Sequence, residues 1–208
     1  ERMGVKDCKT LSDKQVFAIG AKLRELLGRN RYKLVLIKPE TYNRLYAKVR
    51  NVNRLLSWAH ARAIENLLET LPHCPRAVSD QFGAKHQIER ALMAKGRKIV
   101  LEQRHKAESD IAVAAASILA REAFLYALKR QGVELGGELP KGASEGVRQA
   151  AVELVRKHGA TVLLRSAKCH FKTTDAVLAA CGLKREALGP EGAAVSQAVS
   201  ARNSSTRK

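Results

Sequence analysis

Short apolar runs alternate along this chain with longer stretches whose apolar residues recur at helical spacing, and that alternation points to an α/β domain. Three runs read as strands: Tyr32–Ile37, stopped by Pro39; Arg76–Asp80; and Lys98–Glu102. The helical stretches carry their own punctuation. Ser12 and Gln15 are placed as a capping box, Val16, Ile19, Leu23, Leu26 and Leu27 follow on one face, and Gly28 ends the run. A long helix is expected from Asn53 to Leu71, with Pro72 beyond it, and a short one around Ile88 and Leu92 that ends at Gly96. An Ala-rich helix fills Ser109 to Arg130, and Gly132 to Gly142 reads as a loop. Ser144 is placed to cap a helix that Gly159 terminates, a basic turn spans Arg165 to Lys172, and a last helix covers Thr174 to Cys181. From about Leu188 the periodicity stops. The expected organisation is one domain over residues 1–186 and a disordered tail over 187–208.

Charge gives the first functional constraint. Lys and Arg total 38 against 20 Asp and Glu, a net of +18, with the positive residues spread along the chain. A folded domain with this excess attracts a polyanion such as nucleic acid; a merely basic or ribosome-associated protein is the competing reading. Aromatic residues are 4% of the chain, so Ala, Leu and Val must do most of the packing. No run reaches the ~18 apolar residues of a membrane span, and no charged-then-apolar leader is visible, so a cytoplasmic, monomeric protein is expected. Cys8, Cys74, Cys169 and Cys181 form no C-x-x-C pair and read as reduced thiols rather than zinc ligands.

Asp80 ends a short apolar strand, where open α/β sheets place their ligands, although a turn aspartate sits equally well there. Glu108 and Asp110 stand at the start of the Ala-rich helix, where acids also serve as caps. Taken together, acids at adjoining strand and helix ends in a basic chain suggest hard oxygen ligands for Mg²⁺ or Mn²⁺ facing a phosphate backbone. Two such ions about 4 Å apart activate water and stabilise the leaving oxygen, which asks for roughly four carboxylates. Basic turns around Lys6 and Lys9, around Lys141, Gly142 and Ser144, and around Lys168 and Lys172 are candidate phosphate contacts or simply solvated lysines. His60 lies mid-helix and reads as a packing or surface histidine.

Several blocks, in order, resemble the type-2 ribonucleases H. Gly4-Val5-Lys6-Asp7-Cys8-Lys9 resembles the family's G-V-K-D-S-K, with Cys8 in place of serine. Tyr42-Asn43 and Asn51-Val52-Asn53, followed by Leu55-Leu56-Ser57-Trp58-Ala59-His60, resemble its asparagine-marked helix. Ser79-Asp80-Gln81-Phe82 matches D-Q-F, and Lys106-Ala107-Glu108 with the Ala112–Arg121 block matches K-A-E and A-V-A-A-A-S-I-L-A-R. Leu139–Ser144 and His170–Thr174 are closer to the ribonuclease HIII branch.

The resemblance implies a ribonuclease H-like mixed sheet flanked by helices. It implies a metal-dependent endonuclease that cuts the RNA strand of RNA–DNA hybrids and leaves 3′-hydroxyl and 5′-phosphate ends. Asp80 and Glu108 map onto two of the family's four metal-binding acids, with Asp110 as an alternate. Lys6, Lys9, Asn43, Asn51, Lys141, Gly142, Ser144, Lys168 and Lys172 become candidate nucleic-acid contacts. The first strand, with its Asp-Glu pair, has no counterpart here, so the sequence is expected to be a fragment that alone is inactive and poorly folded. A catalytically silent nucleic-acid-binding remnant, or a structural component of a ribonucleoprotein, is the alternative.

Overall fold

The computed structural model describes residues 4–195. In chain order the elements are α1 (Asp13–Leu27), α2 (Pro39–Val49), α3 (Val52–Thr70), β1 (Arg76–Asp80), α4 (His86–Ala91), β2 (Val100–Arg104), α5 (Ile111–Leu135), α6 (Glu145–His158), α7 (Val162–Ser166), α8 (Lys172–Ala180) and a one-turn α9 (Gly189–Gly192). Short 3₁₀ turns at Cys8–Thr10 and Ala107–Ser109 precede α1 and α5. The fold is α/β, mostly helical, with a small parallel sheet.

Two compact units divide the chain. The first comprises Glu1–Ile37 with Val52–Pro140. Its sheet pairs β1 with β2 in parallel, from Arg76 opposite Val100 to Asp80 opposite Arg104. Parallel strands cannot be joined by a tight turn, and the crossover here carries α4. The core of this unit is α1 against α5: Leu11, Val16, Leu23, Ile118, Leu119 and Leu125 are all buried in one cluster. Cys8 packs at the edge of that cluster as a small apolar side chain. The second unit comprises Lys38–Asn51 with Lys141–Lys208, in which α2 packs on α7 and α9, and α6 on α8.

The α1 start is as the sequence requires: Ser12 accepts from the Gln15 N–H and Gln15 reaches back to the Ser12 N–H at 2.9 Å. Four expectations change. Tyr32–Ile37 keeps a strand's alternation, with Leu34 and Leu36 exposed between half-buried neighbours, but it joins no ladder among the described residues. The expected mixed sheet is therefore a two-stranded parallel one among those residues. Pro39 opens a helix instead of closing a strand, because a proline at the first helical position leaves no needed donor unpaired.

The third change is at Gly132, which lies inside α5. A Cβ there would stand 2.6 Å from the Gly137 carbonyl oxygen, and that carbonyl belongs to the helix's true end at Gly136, where φ is 77°. Finally, the tail does not begin at residue 187. Leu188 is buried and residues up to 195 are described, so only the part of the predicted tail from 196 to 208 falls outside the description.

One helix among the described residues, α5, is long and apolar enough to cross a membrane by length and composition, although Arg121 and Glu122 interrupt its apolar run. Its central charges are both bound within the first unit. Arg121 pairs with Asp13 at 2.8 Å, and the buried Glu122 pairs with Arg24. The pairing raises the Arg24 pKa, through the hydrogen bond to Glu122 first of all.

The Glu122 carboxylate occupies the space a side chain at Gly20 would need, since a Cβ there would lie 2.5 Å from the carboxylate carbon. Gly20→Ala should therefore destabilise the protein by about 1–3 kcal/mol through overpacking. Gly137→Ala, where the added methyl would meet nothing within 4 Å, should stay within roughly 0.5 kcal/mol. Urea denaturation of the two variants checks this, and equal midpoints would refute the packing argument.

Candidate metal and nucleic-acid site

β1 and β2 run parallel and end side by side, so the two chain segments that leave them emerge at one edge of the sheet. Asp80 is the last residue of β1, exposed, and aligned with Arg104 at the end of β2. After β2 the chain reverses at Lys106, a non-glycine residue with φ 54°, a conformation that costs an ordinary side chain roughly 1 kcal/mol. The reversal points the Ala107 N–H back at the strand end, where it donates to Asp80 Oδ1 at 3.2 Å. Glu108 is the next residue. The fold thus brings together the two acids that the sequence placed 28 positions apart.

Glu108 Oε1 faces the Lys9 ammonium at 3.8 Å. Lys9 is held in turn by the short turn after Asp7, whose Oδ1 accepts the Lys9 N–H at 3.0 Å. Asp110 is engaged differently. Its Oδ1 accepts from the Ala112 N–H at 2.9 Å as the N-cap of α5, and its Oδ2 takes a 2.9 Å ion pair from Arg104. Behind the strand, His60 Nδ1 lies 3.3 Å from the hydroxyl of the buried Ser79 and its ring packs on Phe82. Burial pushes the His60 pKa down, and the Asp80 charge pulls it partly back.

The remaining candidates lie in the second unit. Lys141, Gly142 and Ser144 are exposed ahead of α6, and Gly142 has φ 97°. Ser144 is the N-cap by position but makes no side-chain capping bond. Asn51 is exposed. Lys168 is exposed and its ammonium stands 5.1 Å above the Tyr42 ring, while Lys172 opens α8. Asn43 corrects the expectation made of it. It is buried, its amide donates to the Leu164 and Ala167 carbonyls, and its oxygen accepts the Cys169 N–H at 2.9 Å. Those bonds tie α2 to α7 and the segment after it, and both amide hydrogens are used inside the unit.

Arg104 was not singled out in the sequence, and Lys106 and Arg121 stood there only as parts of the K-A-E and A-V-A-A-A-S-I-L-A-R blocks, with no role of their own. Among the described residues, no group of three or more His, Cys, Asp or Glu side chains is arranged to hold a metal ion.

The ribonuclease HII family model matches residues 1–174. The chain belongs to the ribonuclease HII family. Within it, the chain is 42% identical over 182 residues to ribonuclease HIII of Protochlamydia amoebophila, covering 88% of this chain and 59% of that protein. It is 38% identical over 174 residues to ribonuclease HIII of Chlamydia pneumoniae, covering 83% of this chain and 57% of the relative. The chain therefore spans somewhat under three fifths of the length of these relatives. Among solved structures it is similar to Bst-RNase HIII in complex with Mn²⁺, with a TM-score of 0.75 at 29% identity, covering 86% of this chain and 58% of that one. It is similar also to RNase H3 of Aquifex aeolicus, with a TM-score of 0.56 at 33% identity, covering 80% and 58%.

The His170-Phe171-Lys172 block that points to the ribonuclease HIII branch has a buried centre. His170 is 2% exposed, stacks on Tyr46 at 4.2 Å, lies tilted against Phe171 at 4.0 Å, and neither ring nitrogen has a hydrogen-bond partner in the protein. Burial, with Lys168 and Arg185 nearby, pushes its pKa down to about 4. An unfolded chain protonates His170 near the ordinary value of 6.5. Between those values the unfolded state holds more protons. The stability that His170 confers is thus complete above pH 6.5 and lost as pH falls towards 4. The contribution to the slope is at most about 1.4 kcal/mol per pH unit. His170→Phe should flatten this part of the profile, and a stability curve with the same acid limb in both proteins would show that His170 is not its source.

Proposed function

We propose that the protein carrying this sequence is a divalent-metal-dependent endonuclease that cuts the RNA strand of RNA–DNA hybrids, with Asp80 and Glu108 as metal-binding acids. The observation that carries this reading is the Asp80–Ala107 hydrogen bond, which locks the end of β1 to the turn bearing Glu108. Both acids retain carboxylate oxygens free of backbone capping, and they are hard donors of the kind Mg²⁺ and Mn²⁺ prefer. They fit such an ion as a partial set; further donors must complete it. Asp110 fits less well, because capping α5 and pairing with Arg104 engage both of its oxygens. When bound, the metal supplies a polarised water and charge stabilisation at the departing oxygen. The chain's own residues hold the carboxylates in register and set Lys9 beside them. Attack on the phosphodiester leaves 3′-hydroxyl and 5′-phosphate ends.

A second reading is a catalytically silent hybrid-binding protein, and the absence of a three-ligand cluster among the described residues favours it. Cleavage separates the two. In the protein that contains this sequence, Asp80→Asn and Glu108→Gln should each reduce hybrid cleavage by at least about a hundredfold, as removal of a central charge-stabilising group does. Asp110→Asn should cost far less, and a chelator should abolish turnover. Near-normal cleavage by Asp80→Asn would remove that residue from the site. Binding without any metal-dependent cleavage would favour the second reading.

The same proposal assigns Lys141, Lys168 and Lys172 to phosphates. Removing one such lysine should lower the log–log salt slope of hybrid binding by roughly one unit. The Lys168→Ala, Lys172→Ala pair should therefore lower it by about two. An unchanged slope in the double variant would take both residues off the binding surface.

A further inference from the structure

Arg121 is three-quarters buried on α5, and its guanidinium grips the turn that carries Lys9. Nη1 donates to the Cys8 carbonyl and, at 3.1 Å, to the Leu11 carbonyl; Nη2 donates to Asp13 Oδ1 at 2.8 Å. These acceptors bracket Lys9 on both sides. The turn also has its own backbone bonds, from Thr10 to the Asp7 carbonyl at 3.1 Å and from Leu11 to the Cys8 carbonyl at 3.2 Å. A planar fork that satisfies two carbonyls and a carboxylate at once fixes their geometry as an ammonium cannot. The helix that bears Arg121 begins directly after Glu108, through the Asp110 cap. One element thus sets both halves of the Lys9–Glu108 pair.

We propose that Arg121 is a positioning residue for the nuclease site: by clamping the Cys8–Asp13 turn onto α5 it holds the Lys9 ammonium where a hybrid phosphate meets the metal-bearing Glu108. This rests on the reading of the protein as a hybrid-binding nuclease. Arg121 need not touch substrate. Its role is carried by Lys9, and that dependence is measurable.

The test is a double-mutant cycle on the full chain, using anisotropy of a fluorescent RNA–DNA hybrid without divalent metal across a salt series. Lys9→Ala should weaken binding and lower the salt slope by about one unit, the signature of a single phosphate left without its cation. Arg121→Lys keeps the charge but loses the fork, and should reproduce both effects. The two together should be no worse than Lys9→Ala alone, because both act on the same phosphate interaction. Hydrogen exchange at Thr10 and Leu11 should accelerate in Arg121→Lys. Additive losses, or an Arg121→Lys protein with unchanged affinity and slope, would overturn the proposal. A role limited to stability would lower the melting temperature and leave the folded protein's salt slope alone, which also overturns it. If Arg121→Lys does not fold, Asp13→Ala, which removes one acceptor of the clamp, must show the same non-additivity with Lys9→Ala; independent effects sink the idea. Failure of the unsubstituted chain to bind hybrid would count against the nuclease reading itself and take this one with it. Additivity in a chain that does bind would count against Arg121 alone.

Discussion

Two neighbouring charges in the middle of an apolar helix organise the first unit. Arg121 and Glu122 stand on α5, where leaving either one buried and unpaired would cost about 3–5 kcal/mol. Each is matched by a residue of α1, Asp13 for Arg121 and Arg24 for Glu122. Two ion pairs near opposite ends of one helix permit one register against the other, which apolar contacts alone would leave looser. Gly20 is a consequence, since the Glu122 carboxylate lies where its side chain would be. The turn before α1 and the turn before α5 are then fixed relative to each other, and these are the turns that bear Lys9 and Glu108.

Much of this was legible in the residues because it is local. The Ser12–Gln15 box, the Gly28 and Gly159 ends and the Arg76–Asp80 strand are written in a few adjacent positions, and the structure reproduces them. The errors share a cause. Whether Tyr32–Ile37 is a strand depends on a neighbour, and alternation does not supply one. Pro39 can act as a stop or as a first helical residue, and the residues after it settle the choice: Tyr42 and Tyr46 on one face of α2 decide for the helix. Gly132 reads as a breaker until the Gly137 carbonyl is seen to need its bare Cα.

At the candidate site the acids were visible and the partners that occupy them were not. In sequence Asp110 stood as an alternate to Glu108, two residues away. Their difference arises from Arg104, whose side chain reaches Asp110, and from the cap of α5. Asn43 failed as a ligand for a related reason. A motif asparagine reads as substrate-facing, but here its amide and carbonyl close three backbone bonds in the interior of the second unit.

The electrostatics of the site derive from the same arrangement. In a chain of net charge +18 an exposed carboxylate readily finds a cationic partner, so a metal would compete with side chains already present. Glu108 has Lys9 at 3.8 Å, whereas Asp110 has Arg104 at 2.9 Å on Oδ2 while its Oδ1 caps α5. The first pair is exposed on the lysine side and long, worth at most about 1 kcal/mol. A dication at Glu108 would compete only with that weak pair, and the exposed Lys9 would meet a phosphate with or without it. At Asp110 a metal would have to displace Arg104 from Oδ2 and share the carboxylate with the α5 cap on Oδ1. On the proposed reading, the loosely held carboxylate is therefore the one suited to the metal.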